Sequence, residues 1–287
     1  MQLTGVWKTM NQNNKISVFG STGFIGSRFL NENIDKCIPI PRNDRYPQTD
    51  NILYFISTTS NYNVFENISL DINTNLNVLV DVLESCKDRD VVFNFISSWF
   101  VYGESESLPV SETAHCNPKG FYSITKKCAE DLLVSWCRTF NKKYRIIRLA
   151  NVYGAGDGDV SKKKNALQYL AEKIKNNENI ELYHGGNFVR DYIHVQDAVS
   201  AIRLILEKGG LNQTYNVGSG IPHIFSDLIK SMVHITESKS KITSIEPPDF
   251  HKVVQVKDMF LDIKKLKNLG FLPTVTIHEG LLEICQN

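Results

Sequence analysis

The segment "FYSITKKCAE" (121–130) sets Tyr122 and Lys126 four residues apart, a spacing that puts both on one face of a helix. With an ordinary pKa of about 10, a tyrosine is a poor acid–base group near neutrality. A neighbouring ammonium, helped by the positive charge of an oxidised nicotinamide, favours the phenolate and lowers that value. Such a phenol exchanges a proton with a hydroxyl or carbonyl oxygen while a hydride moves at the same carbon. Ser98, at the end of the apolar run "VVFNFIS" (91–97), is placed to hydrogen-bond that oxygen and hold it in line. A Tyr-x-x-x-Lys pair alone is common on helix surfaces, so the chemistry needs a hydride carrier nearby.

The carrier's site is expected in "KISVFGSTGFIGSRFL" (15–30), where Gly20, Gly23 and Gly26 form G-x-x-G-x-x-G between a strand and a helix. The chain must reverse sharply there, its backbone must approach a pyrophosphate, and the amides and dipole of the next helix then meet negative charge. Gly20, Thr22, Gly23, Phe24, Ile25 and Gly26 are the expected cofactor-binding set. An NAD site usually has an acid at the end of the following strand. Here "CIPIP" (37–41) runs into Arg42, sixteen residues past Gly26, and a guanidinium there suits the 2′-phosphate of NADP. Asp44 is the alternative, reaching a ribose of NAD.

These residues need a frame. "ISVFG" (16–20), "CIPIP", "ILYFIS" (52–57), "VVFNFIS" and "YRIIRLA" (144–150) read as strands, apolar nearly throughout. Between them, 76–86 and 122–140 carry helical spacing. The alternation implies an α/β fold with a parallel sheet covered by helices. After the Gly- and Lys-rich stretch 151–165 the texture changes, with a helix over 165–176, a short strand "IELYHG" and one more strand in "TYNVGSG" (214–220). The expected organisation is a loose tail over 1–14, a dinucleotide-binding lobe over 15–155, and a smaller substrate-binding lobe over 156–287 with segments returning to the first.

The bulk properties narrow the partners. With 32 basic and 31 acidic residues the net charge is +1, which argues against nucleic acid or an anionic membrane surface. No apolar run approaches the about 18 residues of a spanning helix, and the N-terminal stretch lacks an apolar signal core, so a cytoplasmic protein is expected. The six cysteines form no CxxC pair and read as reduced thiols, and the seven histidines are scattered, so no metal site is expected.

With "GSTGFIG", "SSWFVYG", "YSITK" followed by Glu130, "RLANVYG", "VRDYIHVQD" and "YNVGSG" in this order, the chain over about 16–285 resembles the extended short-chain dehydrogenases/reductases. Within them it is similar to the nucleotide-sugar epimerase, dehydratase and reductase group. The resemblance implies a Rossmann-type doubly wound sheet, Ser98 and Tyr122 as the catalytic pair, and Lys126 also gripping the nicotinamide ribose. It further implies that Asn75 lies near the cofactor, that Asn151 and Asn165 face the substrate, and that Arg190 neutralises its diphosphate. His194 and Asp197 read instead as packing and hydrogen-bonded fold residues. A homodimer is expected from the same resemblance.

Three departures refine that picture. The family's 4,6-dehydratases follow the catalytic Ser/Thr with acidic residues, whereas here Trp99 and Phe100 stand there, fit to shape a sugar pocket and unable to remove water. Only ten residues separate "CIPIP" from "ILYFIS", too few for the helix and strand that relatives place there, so a trimmed sheet edge is expected. The segment "SIEPPDFHK" (244–252) lacks an arginine that many relatives use against the diphosphate. The favoured expectation is a 4-keto reductase of a nucleotide-linked deoxyhexose using NADPH, of the paratose and abequose synthase type. A 4-epimerase with retained NAD is the alternative, and a non-catalytic NADP-binding regulator a third reading that the intact Tyr–Lys pair disfavours.

Overall fold

The computed structural model describes residues 15–156 and 166–286. The tail expected over 1–14 and the expected substrate residue Asn165 lie outside the described residues.

The first half of the chain alternates as its apolar runs require. Strand β1 (Ile16–Phe19) leads through the glycine turn into α1 (Phe24–Glu32), and β2 (Cys37–Pro39) is followed by β3 (Asn51–Tyr54). A one-turn helix α2 (Leu70–Ile72) continues through a π-turn over 73–77 into α3 (Val78–Ser85). Then come β4 (Val92–Ser98), the long helix α4 (Phe121–Thr139) and β5 (Lys143–Leu149).

The second half is built of shorter pieces: β6 (Asn151–Tyr153), α5 (Ala166–Lys175), β7 (Ile180–Tyr183), β8 (Val189–Arg190) and β9 (Tyr192–His194). Helix α6 (Val195–Lys208) leads to β10 (Gln213–Val217), β11 (His223–Ile224) and α7 (Phe225–Ile235). The chain closes with β12 (Ile242–Ile245), α8 (Asp249–Val254), α9 (Lys264–Lys267) and α10 (Ile277–Gln286).

Six strands form one parallel sheet in the order β10-β5-β4-β3-β1-β2. The order reverses between β1 and β3, and ligands of such sheets bind outside the carboxyl ends of the strands at that switch. β2 is the sheet edge, and residues 40–50 between it and β3 contain neither helix nor strand, so the edge is trimmed as the ten-residue interval implied. β10, from the second half of the chain, completes the opposite edge by pairing with β5.

Both sheet faces are covered, which explains the unbroken apolar runs. On one face Phe19, Ile52, Tyr54, Phe93 and Phe95 pack on Leu79 and Val82 of α3 and Leu133 of α4. On the other, Val18, Leu53 and Ile147 meet Phe29 of α1 with Ile202 and Ile205 of α6. A separate core of Leu167, Leu170, Ile180, Leu182, Ile229 and Ile284 joins α5, β7, α7 and α10. His194 and Asp197 hold structure: the His194 imidazole lies 2.8 Å from Glu283, and the Asp197 carboxylate accepts from the Thr274 and Val275 amides.

Candidate active site

Tyr122 sits in the first turn of α4, and the start of that helix is fixed from outside the helix. The Gly120 N–H donates to Ser123 Oγ, and Asn61 Oδ1 accepts from the Ser123 amide. A Cβ at Gly120 would stand 2.2 Å from Asn61 Oδ1, so glycine is needed for that approach. Farther along, Glu130 and Arg148 form a bidentate, buried ion pair that ties α4 to β5. The tyrosine therefore rides on a helix anchored at two points.

Ser98 ends β4, its Oγ accepting from the Phe100 amide at 3.4 Å, and it lines the same cleft as Tyr122. Lys126 is fully buried, its Nζ donating to Ile96 O at 2.7 Å and standing 4.1 Å above the Phe95 ring. The three catalytic candidates thus meet at the carboxyl end of β4. Burial pulls Lys126 down to about 7 against the opposing charge of Glu130. Burial also pushes Tyr122 up to about 12, with neighbouring Ser98 lowering it and the charge of Asp71 raising it. The expected acidification by Lys126 is not what the protein alone provides: burial raises the phenol, and Lys126 is not among the groups that lower it.

The glycine turn fits a dinucleotide. Gly20 has φ +74°, and a Cβ at Gly26 would lie 2.2 Å from Gly20 O, so the turn closes only without side chains there. At Gly23 a Cβ would meet Gly20 O at 3.6 Å and nothing else within 4 Å, leaving open space above the turn. Helix α1 begins there with no side-chain cap and no acid in its first turn, so its leading amides face the cleft unopposed.

That cleft, about 640 Å³, is lined by Gly20, Gly23, Phe24, Ile25, Gly26 and Arg42 at one end and reaches Ser98, Tyr122 and Lys126 at the other. Thr22 is exposed and does not line it. Asn75 does not line it either; it stands behind the wall, where its amide accepts from Ser57 Oγ and the Thr58 N–H and donates to Thr58 Oγ1 and Thr125 Oγ1. Its contribution is to shape the loop after β3, whose Ser57, Thr58 and Thr59 do line the cleft. Those residues were overlooked in the sequence, although the polar run "STTSN" at the carboxyl end of a strand was the available signal.

A second cavity of about 460 Å³ adjoins the first, sharing Trp99, Phe100, Tyr122, Asn151 and Tyr192 with it. Trp99 and Phe100 stack at 3.9 Å, and Phe100 meets Tyr122 edge-on. Asn151 holds this wall, accepting from Trp99 Nε1 and donating to Asp191 O. Arg190 lines the cavity, yet its guanidinium already donates to the carbonyls of Val189, Val256 and Lys257 and packs 4.6 Å from the Phe188 ring. Burial draws it down to about 10, which leaves it charged at neutral pH. Across the mouth, Tyr62 and His251 share a 2.8 Å hydrogen bond, placing a histidine in the segment that lacks the expected arginine.

A parallel sheet with a glycine turn at its switch point, and a Ser–Tyr–Lys group where two cavities meet, define a short-chain dehydrogenase/reductase architecture. The chain belongs to the NAD dependent epimerase/dehydratase family, whose model matches residues 43–218. It is 24% identical over 273 residues to a protein of Methanocaldococcus jannaschii named as a candidate UDP-glucose 4-epimerase, covering 94% of this chain and 85% of that one. It is 30% identical over 182 residues to a dTDP-4-dehydro-6-deoxyglucose reductase of Escherichia coli, covering 63% and 56%. Among solved structures, the UDP-glucose 4-epimerase of Thermotoga maritima with UDP-glucose superposes with a TM-score of 0.84 at 27% identity, covering 94% of this chain and 97% of that one.

Proposed function

We propose that this protein reduces the 4-keto group of a nucleotide-linked deoxyhexose, with NADPH as the hydride source. The observation that carries the reading is the position of Tyr122, which lines both cavities at their junction beside Ser98 and Lys126. The glycine-turn cleft would take the cofactor and the aromatic cavity the substrate, for which the relatives' names support a nucleotide sugar. The second cavity's volume falls within the about 300–1,000 Å³ of small-molecule sites.

When bound, the reduced nicotinamide supplies the hydride. Ser98 and Tyr122 position the substrate's carbonyl oxygen by hydrogen bonding, and Tyr122 gives that oxygen its proton. Lys126 fixes the floor of the cleft through Ile96 O and contributes positive charge in the fraction of molecules where it is protonated. Trp99 and Phe100, packed against each other, exclude water and offer no acid or base for dehydration. Arg42 at the cleft's far end supports NADP over NAD, because Asp44 does not line the cleft and spends its carboxylate on the Tyr46 amide.

A second reading, 4-epimerisation with retained NAD, is favoured by the likeness to the Thermotoga maritima epimerase. Incubation with 4-keto and 4-hydroxy nucleotide sugars separates them. Stoichiometric NADPH consumption with the ketone supports the reductase, and isomer interconversion without net cofactor change replaces it by the epimerase. Tyr122→Phe should lower turnover by about 10²–10⁴-fold while cofactor binding persists. Undiminished turnover would remove Tyr122 from the chemistry.

A further inference from the structure

The outer wall of the aromatic cavity is assembled from two segments that the central sheet does not join. One is the short helical turn Asn61–Phe65 after β3, and the other is α8 in the second half of the chain. Tyr62 from the turn and His251 from α8 both line the cavity, with the Tyr62 hydroxyl 2.8 Å from His251 Nδ1. Behind them the Phe250 ring meets Tyr62 at 5.2 Å and Phe65 at 4.6 Å, both edge to face. Phe65 and Phe250 do not line the cavity, and Phe65 and Val253 are 67% and 64% exposed. Solvent and cavity are therefore separated here by a contact between side chains alone.

The two sides of that contact are held unequally. The turn is a fixed post: Ser60 Oγ accepts from the Tyr62 amide, Asn61 Oδ1 accepts from the Ser123 amide of α4, and Asn63 Nδ2 donates to the buried Asp71. Helix α8 has six residues, starts just after Pro247 and Pro248, and makes its Lys252–Asp249 ion pair within itself. Past its far end, Arg190 holds the chain by donating to Val256 O and Lys257 O. Between those ends Val254 turns inward, and the Tyr183 ring of β7 lies 4.5 Å from the His251 ring.

We propose that Tyr62 and His251 form a clasp between the two halves of the chain that parts to admit the nucleotide sugar and, once closed, retains it against Tyr122. The inference rests on the aromatic cavity being the substrate site. With the cofactor in the adjoining cleft, the junction at Tyr122 would be occupied, which leaves the outer wall as the way in. A wall closed by side chains opens without breaking a backbone ladder. A hydroxyl meets Nδ1 in either tautomer, donating to a bare nitrogen or accepting from an N–H, so the contact does not depend on one protonation state. A single hydrogen bond of this kind shifts an equilibrium about two- to tenfold. Closure is thus reversible, and it tightens the apparent affinity of a ligand held beneath it by a similar factor.

The test compares Tyr62→Phe and Phe250→Ala with the wild type, using the nucleotide sugar that the wild type turns over. Tyr62→Phe deletes the hydrogen bond and keeps the ring, whereas Phe250→Ala removes the buttress without altering the cavity lining. Both should raise KM for the nucleotide sugar about two- to tenfold and speed release of the radiolabelled compound in a chase to match. The value of kcat should not fall, and KM for NADPH should stay within about twofold. If Phe250→Ala does not fold, Phe250→Leu thins the buttress and gives the same readout. An effect of Tyr62→Phe without one of the Phe250 variant makes Tyr62 a direct substrate contact and overturns the clasp. Unchanged KM and release in both variants also overturn it, as does a fall in kcat alone, which would mark the turn as a support for α4. Each of those results leaves the site reading intact. A wild type that binds no nucleotide sugar overturns the site reading and the clasp together.

Discussion

Arg148 grips Glu130 with two parallel hydrogen bonds, Nε to Oε1 at 3.0 Å and a terminal nitrogen to Oε2 at 2.7 Å, inside the protein between β5 and the helix of Tyr122. Burial opposes the guanidinium's charge, but the Glu130 hydrogen bonds more than offset that and hold it above its usual value. The Tyr102 ring lies 4.7 Å from the same guanidinium. Glu130→Ala leaves a cation buried without its partner and should cost about 3–5 kcal/mol in urea denaturation. The double variant Glu130→Leu, Arg148→Met should recover most of that loss, because no charge is then stranded. If the double variant is no more stable than the single one, the pair supplies packing that apolar side chains cannot reproduce.

Gly23 and Gly26 separate folding from binding within one turn. Gly26→Ala drives a methyl group to 2.2 Å from the Gly20 carbonyl and should lower stability by about 1–3 kcal/mol, with cofactor affinity falling as the turn opens. Gly23→Ala meets its nearest atom at 3.6 Å, so the melting temperature should hold within a few degrees. The new methyl instead stands over the turn, and cofactor affinity measured by fluorescence quenching should drop at least tenfold. Equal melting losses for both variants would mean that the turn is constrained throughout rather than at Gly26 alone.

This turn and the Tyr–Lys helix were legible in the sequence because each is local: the spacing of a few residues fixes both the geometry and the chemistry. The trimmed edge was legible for a simpler reason, since ten residues cannot span a helix and a strand. Asp71 and Asn75 were not readable as a pair. Their stretch "SLDINTN" has no apolar period, and what they hold is a loop contributed by a different strand. The Tyr62–His251 contact joins residues 189 apart and depends on how α8 lies over the cleft. Arg190 shows the converse, where motif position indicated a pocket arginine and the fold commits three of its hydrogen bonds to backbone carbonyls.

Lys126 should leave a signature in stability as well as in catalysis. Its pKa is near 7 in the folded protein against an ordinary 10.5. Between those values the unfolded chain binds more protons, so the contribution of this residue to stability increases as pH rises from about 7 towards 10.5 and is lost as pH falls through 7. Relative to wild type, Lys126→Met should therefore be most favoured at or below neutral pH, with its advantage shrinking through that window. Denaturant titrations of both proteins at several pH values give the difference directly. A difference that is flat with pH would place Lys126 as a full ammonium in the folded state.

Arg42 offers the most direct check on the cofactor. It is exposed at the rim of the cleft beyond the glycine turn, with its side chain directed to no acid that forms an ion pair among the described residues. A 2′-phosphate reaching that rim would meet a guanidinium able to bond it bidentately, whereas a 2′-hydroxyl gains little from the same group. Arg42→Ala should then weaken NADPH about tenfold at low salt and leave NADH within about threefold, the contrast narrowing as ionic strength rises because the site is open to solvent. Dissociation constants for both cofactors, from fluorescence titration at two salt concentrations, measure the effect. Equal loss for the two would locate the arginine at the pyrophosphate or outside the site, and an NADH preference already present in the wild type would turn the reading toward Asp44 and the retained-cofactor epimerase.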